Sequence, residues 1–354
     1  MRKVRVVLWG LGAMGRGIAE LLSRREGVEI VGACDINPAL AGRALHEALG
    51  LPAPGGKAVP VTPDIATALE GTPVDCCVIA TDSFVKGVFP KVREVLFRGV
   101  NVLTIAEEMS WPWASEPELA REMDGLAKRY GVSVLGTGIN PGMMMDLLAV
   151  CLSGVMQEVR HVRCERVNSL SPFGETVMQE QGIGISPEDF ARGARDGSLA
   201  GHVGFRESAA MIARALGMEI GRFEAQMAPI ITDRDRKSPH GFAPKGSVAG
   251  VSMTAQAWDE SGEIIDLVHP QQIEPESAGV HTGDYITLEG TPPVHMAVQP
   301  EVDGGAGTVA MACNVLPFLV AARPGLLSML DLPVPRCVMG DYRDIAFGRD
   351  ENGE

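Results

Sequence analysis

Three glycines stand at positions 10, 12 and 15 in Gly10-Leu11-Gly12-Ala13-Met14-Gly15, after an apolar run that ends at Trp9 and before residues with helical spacing. That spacing suits a backbone that must turn sharply and approach an anion. Gly10 permits the turn, Gly12 leaves room for a diphosphate, and Gly15 lets the helix pack against the strand. The helix then aims unpaired N–H groups and its positive dipole end at the anion. Asp35 ends the next apolar run, 20 residues after Gly15. A carboxylate there accepts hydrogen bonds from ribose hydroxyls and repels a 2′-phosphate, and the following Ile36 and Asn37 bring no cation. Loop and acid together read as a dinucleotide-binding site, with NAD preferred and NADP possible.

Further polar residues fall where later apolar runs end. Ala80-Thr81-Asp82-Ser83 follows one of them. Ala80 and Thr81 are expected to line the nicotinamide side, and Asp82 is either a cleft carboxylate or the cap of the next helix. Glu107 and Glu108 follow another run and suit an ammonium that must be held or deprotonated, against a plain reading as a solvated acidic turn. In Gly136-Thr137-Gly138-Ile139-Asn140-Pro141-Gly142, Asn140 reads as an N-cap, with a helix starting near Gly142 as a carboxylate site. The alternative there is a cap and nothing more.

In the second half, His202 lies in Gly201-His202-Val203-Gly204-Phe205-Arg206-Glu207-Ser208, and Phe173 in the loop Ser171-Pro172-Phe173-Gly174. His202 is read either as a substrate contact or as a structural histidine. His240 and Lys245 sit in a Gly/Pro-rich stretch that reads as a lid. No His/Cys/Asp spacing resembles a zinc site, and no Ser-His-Asp arrangement is legible.

The elements that must position these residues alternate. Strands are expected at 4–9, 29–34, 74–80, 101–105 and 133–136, and helices through Met14, Ile18, Leu21 and Leu22, with Arg24 and Arg25 in the last turn before Gly27, at 84–97 and at 116–130. Such alternation implies an α/β fold with a doubly wound parallel sheet of the Rossmann type. A helix at 142–156 leads into a different texture. Strands are expected at 159–167, 248–258, 264–269, 285–288 and 294–298, and helices at 187–196 and 205–216. The expected domains are therefore 1–145 for the dinucleotide, 146–303 as an α+β substrate and dimerisation domain, and 304–354 as a helix and acidic tail packing back on the first.

Composition bounds the partners. The net charge of −14 argues against nucleic acid, whose phosphates need a basic surface. No apolar stretch is long enough to span a bilayer. Seven cysteines without a Cys-x-x-Cys pair read as buried thiols in a reducing compartment, and the amino terminus has no signal-peptide pattern. A cytoplasmic homodimeric enzyme acting on a small molecule is the expectation.

The stretch Val7-Leu8-Trp9-Gly10-Leu11-Gly12-Ala13-Met14-Gly15, with Ile139-Asn140-Pro141-Gly142-Met143 and residues 201–208, resembles the 2,4-diaminopentanoate dehydrogenases. The resemblance runs over nearly the whole chain and takes in relatives described as dihydrodipicolinate-reductase-like. It implies reversible oxidative deamination of the C4 amine to give 2-amino-4-oxopentanoate, with NAD(P), in ornithine degradation. The chain is also similar to meso-diaminopimelate dehydrogenase, whose Trp-Asp-Pro-Gly is here Ile139-Asn140-Pro141-Gly142. A charged amine ligand is thus replaced by a neutral one, which argues against that substrate. The paired histidines and downstream lysine of dihydrodipicolinate reductase are absent too. Under this resemblance Glu107, Glu108 and Asp82 take amine binding or base work, Asn140 and Gly142 anchor the α-carboxylate, and His202 and Phe173 are secondary substrate contacts. The alternatives are another amino-acid dehydrogenase or imine reductase of this architecture, and a non-catalytic dinucleotide sensor.

Overall fold

The computed structural model describes residues 2–53, 58–199 and 201–348; the acidic tail at 349–354 lies outside them. Strand β1 (Val4–Trp9) enters the glycine loop and helix α1 (Ala13–Ser23), followed by β2 (Val28–Cys34), α2 (Leu45–Leu49), β3 (Val61–Thr62) and α3 (Ile65–Ala68). Then come β4 (Cys76–Ile79), α4 (Val85–Leu96), β5 (Asn101–Thr104), α5 (Pro117–Tyr130) and β6 (Ser133–Gly136). The chain continues through α6 (Leu147–Ser153), β7 (Glu158–Ser169), α7 (Glu175–Glu180), α8 (Pro187–Asp196), α9 (Phe205–Leu216), β8 (Arg222–Ile231), β9 (Arg236–Lys237) and β10 (Phe242–Ala243). Strands β11 (Val248–Asp259), β12 (Gly262–Gln272), β13 (Gly283–Thr291) and β14 (Val294–Val298) precede α10 (Gly304–Val320), β15 (Gly325–Leu327) and α11 (Tyr342–Ala346).

Two compact units result, Met1–Gly142 with Gly304–Glu354, and Met143–Asp303. The first is built on a sheet in the order β15-β6-β5-β4-β1-β2-β3, with every pairing parallel. Its middle strand β4 is apolar throughout because helices cover both faces, so Cys76–Ile79 is buried at every position. Strand order reverses between β1 and β4, and the loops after these two strands diverge there. That opens a crevice at the sheet's carboxyl edge, where such folds bind ligands.

Helix α1 stops at Ser23, with Arg24 as its C-cap and no basic residue in its last turn. The expected placement of Arg24 and Arg25 inside that turn is therefore corrected by one residue. Helix α10 lies against α1, and a side chain on Gly17 would meet Val309 at 2.7 Å, so that glycine sets how closely the two helices approach. Among the described residues no helix is long and apolar enough to cross a membrane.

The second unit carries a mixed sheet in the order β14-β13-β7-β12-β11-β8, in which only β7 and β12 run parallel. Val162 and Cys164 of β7, Met253 of β11 and Leu267 of β12 share one apolar cluster with Ala209 and Ile212 of α9. Strand β8 has no counterpart in the sequence reading. Its Phe223, Ala225 and Met227 do alternate with Arg222, Glu224 and Gln226, a signal that was passed over in this mostly exposed edge strand. The region of His240 and Lys245 is also more structured than a bare loop. Strands β9 and β10 pair there, and buried Arg236 donates to Thr232 Oγ1 and Gln272 Oε1. Five cysteines are buried, but Cys151 and Cys337 are exposed, contrary to the uniform reading.

Candidate active site

Gly10 has φ +95°, and a Cβ built there would lie 2.5 Å from the Ala80 carbonyl oxygen and 2.6 Å from Thr81 Cγ2. A Cβ on Gly15 would lie 1.9 Å from the Gly10 carbonyl oxygen. Both positions exclude a side chain on packing grounds alone. Gly12 differs, since nothing lies within 4 Å of its Cβ direction. The backbone there borders open space, as a cradle for a diphosphate requires. Gly12 is also the N-cap of α1 and brings no side chain to satisfy the first-turn N–H groups contributed by Ala13, Met14 and Gly15.

Asp35 closes the other side. Its Oδ2 accepts from the Leu11 N–H at 2.6 Å and its Oδ1 from the Asn37 N–H at 2.8 Å. Each oxygen keeps a lone pair for a ribose hydroxyl. Ile36, 86% exposed, offers a neutral surface beside it. An open glycine, an uncapped helix end and a carboxylate thus meet in one place, and they fit an adenine dinucleotide.

The carboxylates beyond β4 and β5 have defined places. Asp82 Oδ1 accepts from the N–H groups of Ser83 and Phe84, at 2.9 and 3.0 Å, and Oδ2 stands 3.8 Å from Lys91 Nζ. The N-cap of α4 is Phe84, which has no capping side chain. Glu108 caps the helix instead, its Oε2 accepting from Val85 N–H at 2.7 Å while its own N–H donates to the Ser83 carbonyl at 3.1 Å. Glu107 and Glu108 lie on a 3-10 turn, Glu107–Ser110, and both are half-buried. Asp82 and Glu108 line a cavity of about 520 Å³ with Phe84, Lys86, Gly87 and Glu116. Glu116 is tied to Lys86 at 2.6 Å, and that contact raises the lysine pKa. Two of the three acids proposed from sequence, Asp82 and Glu108, therefore line one cavity, and Glu108 also holds a helix end from 23 residues away.

The expected helix start near Gly142 is not formed. The Asn140-Pro141 peptide is cis, Gly142 has φ +124°, and residues 140–146 are turns. Helix α6 begins only at Leu147, with Asp146 as N-cap accepting from the Leu147 N–H at 2.6 Å. A Cβ on Gly142 would stand 2.6 Å from the Gly138 nitrogen, so the chain has doubled back on itself rather than entered a helix. Asn-Pro-Gly is a turn signal as much as a capping one, and the turn won. Asn140 consequently caps nothing. Both of its amide atoms are buried without a hydrogen-bond partner, while the adjacent Ile139 N–H donates to Thr308 Oγ1 at 3.3 Å.

In the second unit, the His202 ring packs edge-on against His269 and Phe205, with centroids 4.8 and 5.2 Å away. Its Nε2 is buried without a partner. Burial, reinforced by His269 and Arg166, pushes its pKa well below the usual 6.5. His269 donates from Nδ1 to the Arg166 carbonyl at 2.7 Å, a direction fixed because a carbonyl only accepts. Burial, with the Arg166 charge, brings the His269 pKa down to about 3 against the opposing effect of that hydrogen bond. Arg166 itself is buried and ion-paired with Asp284. Sequence reasoning passed over His269, Arg166 and Asp284. One signal was present, since Arg166 follows Val162 and Cys164 at alternate positions of β7 and so occupies an inward place. Phe173 is partly buried and packs on a separate small cluster with Leu170 and Met178.

Comparison with known proteins agrees with this architecture. A family profile described as the 2,4-diaminopentanoate dehydrogenase C-terminal domain matches residues 143–347. A 2,4-diaminopentanoate dehydrogenase of Acetoanaerobium sticklandii is 48% identical over 346 residues, covering 98% of each chain. An amine dehydrogenase of Streptomyces virginiae is 23% identical over 94% of this chain and 96% of its own. Among solved structures, an amine dehydrogenase from Mycobacterium smegmatis superposes with a TM-score of 0.84 at 27% identity, covering 95% of this chain and 98% of that one.

Proposed function

The chain belongs to the 2,4-diaminopentanoate dehydrogenase family, and we propose that it oxidises the C4 amine of 2,4-diaminopentanoate to 2-amino-4-oxopentanoate with NAD(P). The observation that carries the nucleotide half of this reading is the open space at Gly12, bounded by the Asp35 carboxylate. A negative charge at Asp35 and the neutral Ile36 and Asn37 favour NAD over its 2′-phosphorylated form.

The reaction makes three demands on the protein. The C4 ammonium must lose a proton before C4 can release hydride, the α-carboxylate must be anchored, and water must then reach the substrate iminium to release ammonia. When bound, the nicotinamide supplies the hydride acceptor. Glu108 is the candidate base, because only its Oε2 is engaged by Val85 and its side chain lines the cavity shared with Asp82. Asp82 and Glu107 add negative potential for an ammonium. Asn140 replaces the discarded helix end as the anchor, since its unpaired amide offers a donor for a carboxylate.

A cytoplasmic setting is consistent with seven free thiols. A place in ornithine degradation follows from the substrate, and a homodimer is proposed on the α+β character of the second unit. The experiment is a spectrophotometric screen of purified protein with NAD or NADP against 2,4-diaminopentanoate, meso-diaminopimelate and a simple primary amine. Turnover with the first alone supports the assignment. Equal turnover with the simple amine moves it to the amine dehydrogenases, and reduced nucleotide with none of the three discards it.

A further inference from the structure

Thr81 is exposed at the end of β4, beside the glycine cradle, yet its side chain is fixed on both branches. Its methyl group sits over Gly10, where a Cβ would be 2.6 Å away. Its hydroxyl oxygen accepts a hydrogen bond from Lys91 Nζ at 2.7 Å. An ammonium can only donate, so the single hydroxyl proton must point elsewhere, and no protein group among the described residues accepts it.

The lysine is itself held in this pose. Lys91 and Gly87 lie four residues apart on one face of α4, and the missing side chain at Gly87 makes room for the Asp82 carboxylate. A Cβ there would be 2.1 Å from Asp82 Oδ2, the oxygen that stands 3.8 Å from Lys91 Nζ. Asp82 is in turn fixed by the N–H groups of Ser83 and Phe84. A chain therefore runs from the first turn of α4 through Asp82 and Lys91 to the Thr81 hydroxyl.

We propose that Lys91 is a positioning residue of the nucleotide site, holding the Thr81 hydroxyl as a hydrogen-bond donor to an oxygen of the bound dinucleotide. This rests on the dinucleotide reading above. Lys91 makes no contact with the nucleotide in this account; it acts by taking up the acceptor side of Thr81, which leaves the donor side for a phosphate or ribose oxygen.

A double-mutant cycle read by NADH affinity, from calorimetry or fluorescence, tests it. Binding to the unaltered protein settles the underlying reading first, because a well-folded protein that binds no NADH overturns that reading and this inference together. Given binding, Lys91→Met and Thr81→Val are each expected to weaken NADH by roughly fivefold to tenfold, the worth of one ordinary hydrogen bond. The double variant should be no weaker than the poorer single one, and Lys91→Arg should recover most of the affinity. Melting temperatures serve as the check that all four variants fold. Losses that multiply in the double variant, or a Lys91→Met protein with unchanged affinity, overturn the assignment to Lys91 while leaving the nucleotide site intact.

Discussion

Asp35 holds the backbone N–H of Leu11 at 2.6 Å, so the acid that ends β2 is bonded to the loop that ends β1. The carboxylate thus shapes the glycine loop before any ligand arrives. Asp35→Ala is expected to weaken NADH by roughly tenfold or more, through loss of both the loop contact and the ribose acceptor, and to narrow the gap between NADH and NADPH. Paired titrations with the two nucleotides check this, and an unaltered ratio would contradict the role given to the charge.

Gly12 and Gly15 should separate binding from folding. Gly12→Ala adds a methyl group into open space and should leave the melting temperature almost unchanged while abolishing measurable NADH binding. Gly15→Ala pushes a methyl group against the Gly10 carbonyl and should cost about 1–3 kcal/mol of stability, as overpacking does. Thermal melts beside binding isotherms distinguish the two, and a Gly12→Ala protein with full affinity would remove the cradle.

Glu108 has two duties that can be divided by a conservative change. A glutamine keeps an oxygen to accept from Val85 N–H but cannot take a proton, so Glu108→Gln should fold normally and lose roughly 10²-fold to 10⁴-fold in kcat. Retained turnover would leave Glu108 as a helix cap alone and pass the base role to Glu107 or Asp82.

Asn140 offers the opposite contrast. A buried amide without partners costs free energy, so Asn140→Ala should be neutral to stabilising by about 1 kcal/mol. If the amide anchors the substrate, KM for 2,4-diaminopentanoate should rise at the same time. A destabilised variant with unchanged KM would mean the amide serves the fold.

His202 and His269 predict an acid-side loss of stability. Burial lowers both below the 6.5 of an exposed histidine, His269 to about 3. Between these values the unfolded chain binds more protons than the folded one. The His269 contribution is therefore fully present above pH 6.5 and drains away as pH falls toward 3, at up to about 1.4 kcal/mol per pH unit, and His202 acts in the same direction. His269→Gln should flatten the decline of melting temperature over that window, and an identical profile would show that His269 is not held neutral.

How far the sequence reached depended on the range of the forces involved. The glycine loop, Asp35 and the alternation of strands and helices were legible because each rests on local geometry or burial over a few residues. The edge strand β8 was passed over although Phe223, Ala225 and Met227 alternate with polar residues, and of these Phe223 and Met227 pack on the core. Asn140-Pro141-Gly142 was misread because a cap and a turn share the same residues, and the return of the chain onto Gly138 decided between them. The cap on α4 was invisible for a different reason, as it comes from Glu108 on the neighbouring strand's exit. Sequence alone thus determined the cofactor fold and the kind of chemistry, while tertiary structure decided which polar groups meet. Hydrogen bonds and ion pairs act over about 3 Å, so distant residues such as Lys91 and Thr81, or Arg166 and Asp284, become partners only after the backbone has packed.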